Sequence, residues 1–145
     1  MKIFVGTHLR KIDRNGRVSI PSRFRALLDQ QGGSVVHLFP AKKDPKVMNG
    51  ASGEYLEDQI ARAADLNPEG KKYEHFSYNL FARVVELTID KDGRIVLPPD
   101  LRDKMGIEDE VSFVGRGYQF SLMHPDHLEV KIADAEAHDQ AEDDD

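Results

Sequence analysis

Asp13-Arg-Asn-Gly-Arg-Val-Ser-Ile-Pro-Ser-Arg-Phe-Arg25 returns 77 residues later as Asp90-Lys-Asp-Gly-Arg-Ile-Val-Leu-Pro-Pro-Asp-Leu-Arg102. Over these thirteen positions Asp13/Asp90, Gly16/Gly93, Arg17/Arg94, Pro21/Pro98 and Arg25/Arg102 are identical, and five further pairs keep charge, size or turn chemistry. A stretch repeated in this way is one structural unit used twice, so reading one copy reads both.

Each copy dictates a local structure. Asp at the first and Gly at the fourth position of a four-residue turn is a type I signature, and a glycine at positive φ completes a three-residue hairpin loop with a bulge. Asp13–Gly16 and Asp90–Gly93 are therefore expected to reverse the chain between strands. In Arg17-Val-Ser-Ile20 the alternation turns Val18 and Ile20 inward and Arg17 and Ser19 outward. Pro21 suits the first position of a helix, where its missing N–H is harmless. That helix carries Phe24, Leu27 and Leu28 on one stripe and stops near Gly32. The second copy repeats the plan with Pro98, Leu101, Met105 and Gly106.

Outward from the repeats, Ile3-Phe-Val and Thr7–Ile12 read as extended chain, and Ser34–Phe39 as a buried strand. Pro40–Pro45 is a turn-rich break, Lys46–Met48 a short return strand, and Asn49-Gly-Ala-Ser-Gly53 a flexible connector. Leu56, Ile60, Ala63 and Ala64 predict a helix over Glu54–Leu66, and Tyr73, Phe76, Leu80 and Phe81 another over Lys71–Ala82. An aromatic stripe of this spacing reads as core packing. Val84–Ile89 leads into the second turn, Gly115-Arg-Gly117 is a hairpin between two strands, and Pro125 opens a last helix with Leu128 and Ile132 inward. Ala133–Asp145 is acidic and poor in large apolar residues, so it is expected to fray or stay disordered. The resulting division is a first repeat over 6–53, a helical connector over 54–82, a second repeat over 83–127, and a helix end with acidic tail over 128–145.

A chain of 145 residues favours one core of ordinary size. It has no cysteine, which rules out disulfides and thiolate metal sites. Without a long apolar run or a signal sequence, the expectation is a cytoplasmic protein with no membrane association. The net charge of −6 disguises a strong asymmetry. Residues 1–25 carry Lys2, Arg10, Lys11, Arg14, Arg17, Arg23 and Arg25 against Asp13 alone, whereas residues 126–145 hold nine acids against Lys131. A local cationic patch is the quantity that matters for nucleic acid.

Asp-x-x-Gly-Arg, a short β-branched strand, Pro and a short helix ending in Arg together resemble the hairpin–helix unit of AbrB-type transcription factors. Two such units joined by a helical segment resemble the MraZ family of bacterial regulators, over Gly6 to about His127. The resemblance implies an α+β fold in which both units interlock in one small barrel. Its core would be Val18, Ile20, Val35, Leu38, Ile95, Leu97, Val111 and Val114. It implies sequence-specific binding to repeated double-stranded DNA sites upstream of the family's own cell-division and cell-wall gene cluster, nucleoid association, and a ring-shaped homo-oligomer. Arg17 and Arg94 would be the DNA-contacting pair with Arg14 and Lys91 as turn neighbours, while Asp13, Gly16, Asp90 and Gly93 build and orient the turns. The chain departs from the family in lacking Trp, with Met48 and Leu122-Met123 in comparable places.

The copies are not equivalent. Residues 6–27 carry six basic groups and one acid, whereas residues 83–104 carry five of each. The first repeat is therefore expected to supply most of the phosphate affinity. Another reading of the same residues makes Asp13–Arg17 and Asp90–Arg94 internal ion pairs that brace their own hairpins. A rival function is an antitoxin-like or other protein-interaction module, with the acidic tail as docking segment. No nucleophile, phosphate-loop or metalloprotease pattern occurs, so neither catalytic residues nor a cofactor, metal or small-molecule substrate is expected. His124-Pro-Asp-His127 reads as a helix cap.

Overall fold

The computed structural model describes residues 3–63 and 65–143. Lys2, Ala64 and the final Asp144 and Asp145 lie outside them. In chain order the elements are β1 (Thr7–Lys11), β2 (Arg17–Ser19), α1 (Ser22–Gln30), β3 (Val35–Ala41), β4 (Asp44–Ala51), α2 (Gly53–Ala63), α3 (Lys71–Asn79), a single 3₁₀ turn (Phe81–Arg83), β5 (Val85–Thr88), β6 (Arg94–Val96), α4 (Pro99–Met105), β7 (Glu110–Gly115), β8 (Phe120–Met123) and α5 (Pro125–Asp143).

The fold is mixed α+β with five helices and antiparallel strands. Six strands run in the order β1-β7-β8-β4-β3-β5, and β2 and β6 form a separate two-stranded ribbon. The duplicated turns do reverse the chain, yet the strands that each turn joins do not pair with one another. β1 pairs with β7, β5 with β3, and β2 with β6, so strands on either side of each turn take partners near the other copy. The expected barrel is corrected here: no closed barrel is found among the described strands. The ribbon strands are three residues long because Pro21 and Pro98, which lack an N–H, cap α1 and α4 directly after them.

One core spans both repeats, and it includes Val18, Ile20, Leu38, Ile95, Leu97 and Val111. Its centre is aromatic: Phe24 from α1 lies 5.2 Å from Phe4 and 5.2 Å from Phe120, ring centre to ring centre. Full burial of such a side chain contributes roughly 1.5–3 kcal/mol. Two expected core residues change. Val35 is only half-buried and Val36 is fully buried in its place, because β3 turns its even-numbered positions inward as far as Leu38. Val114 is likewise half-buried and packs in a smaller cluster with Val47, Met123 and Leu128.

Three connecting segments differ from expectation. Asn49-Gly-Ala51, taken for a flexible connector, is instead the inner end of β4, between β3 and β8. Gly50 marks a close approach, since a Cβ there would fall 2.5 Å from the Phe120 ring. The helix over 71–82 ends at Asn79 and finishes as the 3₁₀ turn, and the stripe Tyr73, Phe76 and Phe81 is half-buried. The acidic tail is helical through Asp143, where Ala133, Ala135, Ala137 and Glu136 are strong helix formers that need no burial. Ile132, expected inward, is 47% exposed, and only Leu128 of that pair is buried. Among the described residues no helix is long and apolar enough to cross a membrane.

Candidate nucleic-acid interface

Each duplicated turn is held by its aspartate. Asp13 Oδ1 accepts the backbone N–H groups of Asn15 and Arg17, both at 2.9 Å, and Oδ2 accepts Arg17 Nε at 2.8 Å. Gly16 N–H closes the turn onto Asp13 O at 3.0 Å with φ at +81°, a conformation that suits glycine. The second copy repeats every bond. Asp90 Oδ1 accepts Asp92 and Arg94 N–H at 2.9 Å, Oδ2 accepts Arg94 Nε at 3.3 Å, and Gly93 sits at φ +78°. The backbone bond from Arg17 is the main influence that holds the Asp13 carboxyl below the ordinary aspartate value, against the opposing effect of burial. The bond from Arg94 does the same for Asp90.

The two turns lie at opposite ends of one ribbon. Arg17 faces Val96, Val18 faces Ile95 and Ser19 faces Arg94 across the β2–β6 pairing. Directly opposed residues project to the same side, so Val18 and Ile95 fill the core while Arg17, Ser19, Arg94 and Val96 make up the outer face. Gly93 O accepts Ile20 N–H at 3.0 Å and Gly16 O accepts Leu97 N–H at 2.9 Å, which extends the pairing into each turn. Two arginines therefore lie on a diagonal, roughly 7 Å apart along the strands from the rise per residue. Arg14 and Lys91 are exposed at the tips of the turns.

Both arginines form the internal ion pair raised as the other reading of the sequence, but unequally. Arg17 meets Asp13 through Nε only, and among the described residues its two terminal nitrogens have no partner within the chain. Arg94 is gripped twice, by Asp90 at Nε and by Asp92 at Nη2, each at 3.3 Å. Asp92 stands where the first turn has Asn15.

Sequence reasoning passed over Arg25 and Arg102. Arg25 Nη2 donates to Lys91 O at 3.2 Å, across to the second turn, and Arg102 Nε donates to Leu97 O at 3.1 Å beside the first. Their identity in both copies was the signal available. His124 and His127 do not converge on one point: His124 Nδ1 accepts Asp126 N–H at 3.0 Å as a cap, and His127 Nε2 lies 2.7 Å from Asp44. Lys131 Nζ lies 3.1 Å from the same carboxylate. Burial opposes ionisation of Asp44, but the hydrogen bonds from His127 and Lys131 outweigh it and bring the carboxyl to about 2.

The chain is 37% identical to a transcriptional regulator MraZ from Parvibaculum lavamentivorans, over 86% of its own length and 78% of the relative's. The chain belongs to the MraZ family. A second relative of the same name, from Gluconobacter oxydans, is also 37% identical, over 87% of this chain and 78% of its own length. The Rickettsia akari transcriptional regulator MraZ is 28% identical, with 97% of this chain and 95% of the relative covered. A family model described as "MraZ protein, putative antitoxin-like" matches residues 80–143, so it takes in the second turn, its ribbon strand and α5. MraZ membership thus rests on relatives matched over most of this chain.

Proposed function

We propose that this protein is a sequence-specific DNA-binding transcriptional regulator that acts on repeated sites upstream of its own cell-division and cell-wall gene cluster. The observation that carries this reading is the outer face of the β2–β6 ribbon, where Arg17 is clamped at Nε and keeps its terminal nitrogens for a ligand. A guanidinium fixed in this way suits bidentate contact to guanine O6 and N7 or to phosphate, and two-stranded ribbons are of a size to enter the major groove. In this reading Arg17 makes the main contact and Arg94 its counterpart, Arg14 and Lys91 meet phosphate at the turn tips, and Asp13, Gly16, Asp90 and Gly93 hold the geometry. The relatives' name, transcriptional regulator, supports the same assignment.

One ribbon presents few contacts, so a swapped-hairpin assembly of several copies into a ring, set on several DNA repeats, belongs to the proposal. Linked weak contacts multiply affinity steeply. A nucleoid-associated cytoplasmic location follows from the same reading. The test is a gel-shift series with that upstream DNA and with a shuffled duplex, at two salt concentrations, beside light scattering for the subunit number. A steep loss of affinity with salt and a clear preference for the native duplex are expected. Equal binding to both duplexes would refute sequence-specific recognition.

A second reading, an antitoxin-like protein-interaction module, is favoured by the description of the matching family model and by the exposed acids Glu129, Asp134, Glu136 and Asp139 of α5. Loss of DNA binding on charge reversal of the ribbon, with α5 untouched, separates the first reading from the second.

A further inference from the structure

Each turn glycine lies beneath an arginine that belongs to the other repeat. A Cβ at Gly93 would fall 2.5 Å from Nη1, 2.9 Å from Cδ and 3.0 Å from Cζ of Arg25, which sits on α1. A Cβ at Gly16 would fall 3.3 Å from Nη2 and 3.4 Å from Cζ of Arg102, which sits on α4. Gly93 is needed twice over, for positive φ and for the space that the guanidinium fills, whereas a Cβ at Gly16 would meet Leu97 O first, at 3.0 Å, with the Arg102 guanidinium just beyond. Arg25 is tied to the second turn through Lys91 O. Arg102 is tied to Leu97 O, and the Leu97 N–H binds Gly16 O, so its hold on the first turn passes through one residue.

We propose that Arg25 and Arg102 are crossed positioning residues, each holding the Asp-x-x-Gly-Arg turn of the opposite repeat so that both turns act as one rigid reader. This rests on the DNA-binding reading above for its functional consequence, though not for its geometry. A planar fork with five donors can lie flat on a glycine and bond a carbonyl at its edge, which an ammonium on a flexible stem cannot do. Among the described residues neither arginine has a carboxylate partner, so the brace leaves a positive charge beside each turn. The crossing also accounts for an arginine at the thirteenth position of both copies although the charges around them differ.

The test is a crossed one, in the full-length chain. Amide exchange is measured for Asn15–Arg17 and Asp92–Arg94 in Arg25→Ala and Arg102→Ala, with DNA affinity by anisotropy for these variants alone and combined with Arg17→Ala or Arg94→Ala. The brace predicts that Arg25→Ala speeds exchange at Asp92–Arg94 at least several-fold and leaves Asn15–Arg17 unchanged, with the reverse for Arg102→Ala. It also predicts that Arg25→Ala is non-additive with Arg94→Ala and additive with Arg17→Ala. Arg25→Lys, which keeps charge and stem, should not restore slow exchange. Arg25→Gln is run in parallel, so that a folded variant lacking the fork is in hand if the alanine chain unfolds. Unchanged exchange at the opposite turn, or additivity with both arginines, overturns the brace and leaves Arg25 as an independent contact. A wild-type protein that ignores DNA would sink the DNA-binding reading, and the exchange data would still decide the brace.

Discussion

The two copies of the turn share every backbone bond and differ in what surrounds the arginine. In the first, a neutral Asn15 leaves Arg17 with one carboxylate, and Arg23 and Arg25 follow within eight residues. In the second, Asp92 adds another carboxylate to Arg94, and Asp100 replaces the arginine at the eleventh position. Duplication preserved the device that fixes an arginine and retuned how much of its charge is spent internally. Turn geometry and electrostatic reach are therefore separable, and each can be altered alone.

The sharpest way to break the comparison is Arg17→Ala against Arg94→Ala. The loss of one good base contact weakens binding by about 1–3 kcal/mol, so the first variant should bind DNA roughly ten- to a hundredfold less tightly in an anisotropy titration. Arg94→Ala should lose only a few-fold, and equal losses would end the claim that the first repeat dominates. Next in size, Gly16→Ala and Gly93→Ala force a Cβ into the left-handed region, at about 1–2 kcal/mol each in denaturant melts. In Gly93→Ala the turn also displaces Arg25, so its second turn should lose amide protection that Gly16→Ala leaves intact.

A smaller effect tests electrostatics without disturbing the turn. Asp92→Asn removes one negative charge and releases Arg94 Nη2, so DNA affinity should rise about two- to threefold, while Asn15→Asp should lower it by a similar factor, in line with the modest worth of exposed ion pairs. If neither exchange moves affinity, the charge difference between the copies is idle. Smallest is the response to acid. Both turn aspartates are held below 3.8, so their stabilising contribution is present above that value and is lost as pH falls through the lowered folded values. The amide shifts of Gly16 and Gly93 should therefore stay flat through neutral pH and move together only in strong acid, and a transition near neutrality would contradict the carboxylate clamp.

The local parts of this architecture were legible because they are written locally. Asp and Gly at the first and fourth positions of a turn, an alternating triplet and a proline specify turn, strand and helix start within thirteen residues, and the structure has all three in both places. What was not legible depends on partners far along the chain. Asn49-Gly-Ala51 looks like a linker until Phe120 is placed against Gly50. The pairings β1–β7, β2–β6 and β3–β5 were not legible either, because alternation reports which face of a strand is buried and says nothing of its partner. Arg25 and Arg102 could have been singled out by their identity in both copies, but only the folded chain shows that each serves the other copy. The acidic C-terminal stretch departs from expectation for another reason: a lack of large apolar residues predicts little burial, and a helix with several alanines does not need it.

The attachment of α5 has a consequence for how its charge acts. His127 and Lys131 both grip Asp44 at the turn between β3 and β4, one helical turn apart, so the base of the helix is clasped to the sheet at two points. Beyond that clasp the helix runs about 18 Å further, at 1.5 Å per residue, to Asp143. Loose acidic chain could drape over whatever cation came near. Acids carried on a helix, such as Asp134, Glu136 and Asp139, keep a set distance from the body, so an approaching polyanion or polycation meets their charge at the end of α5 and not across the ribbon.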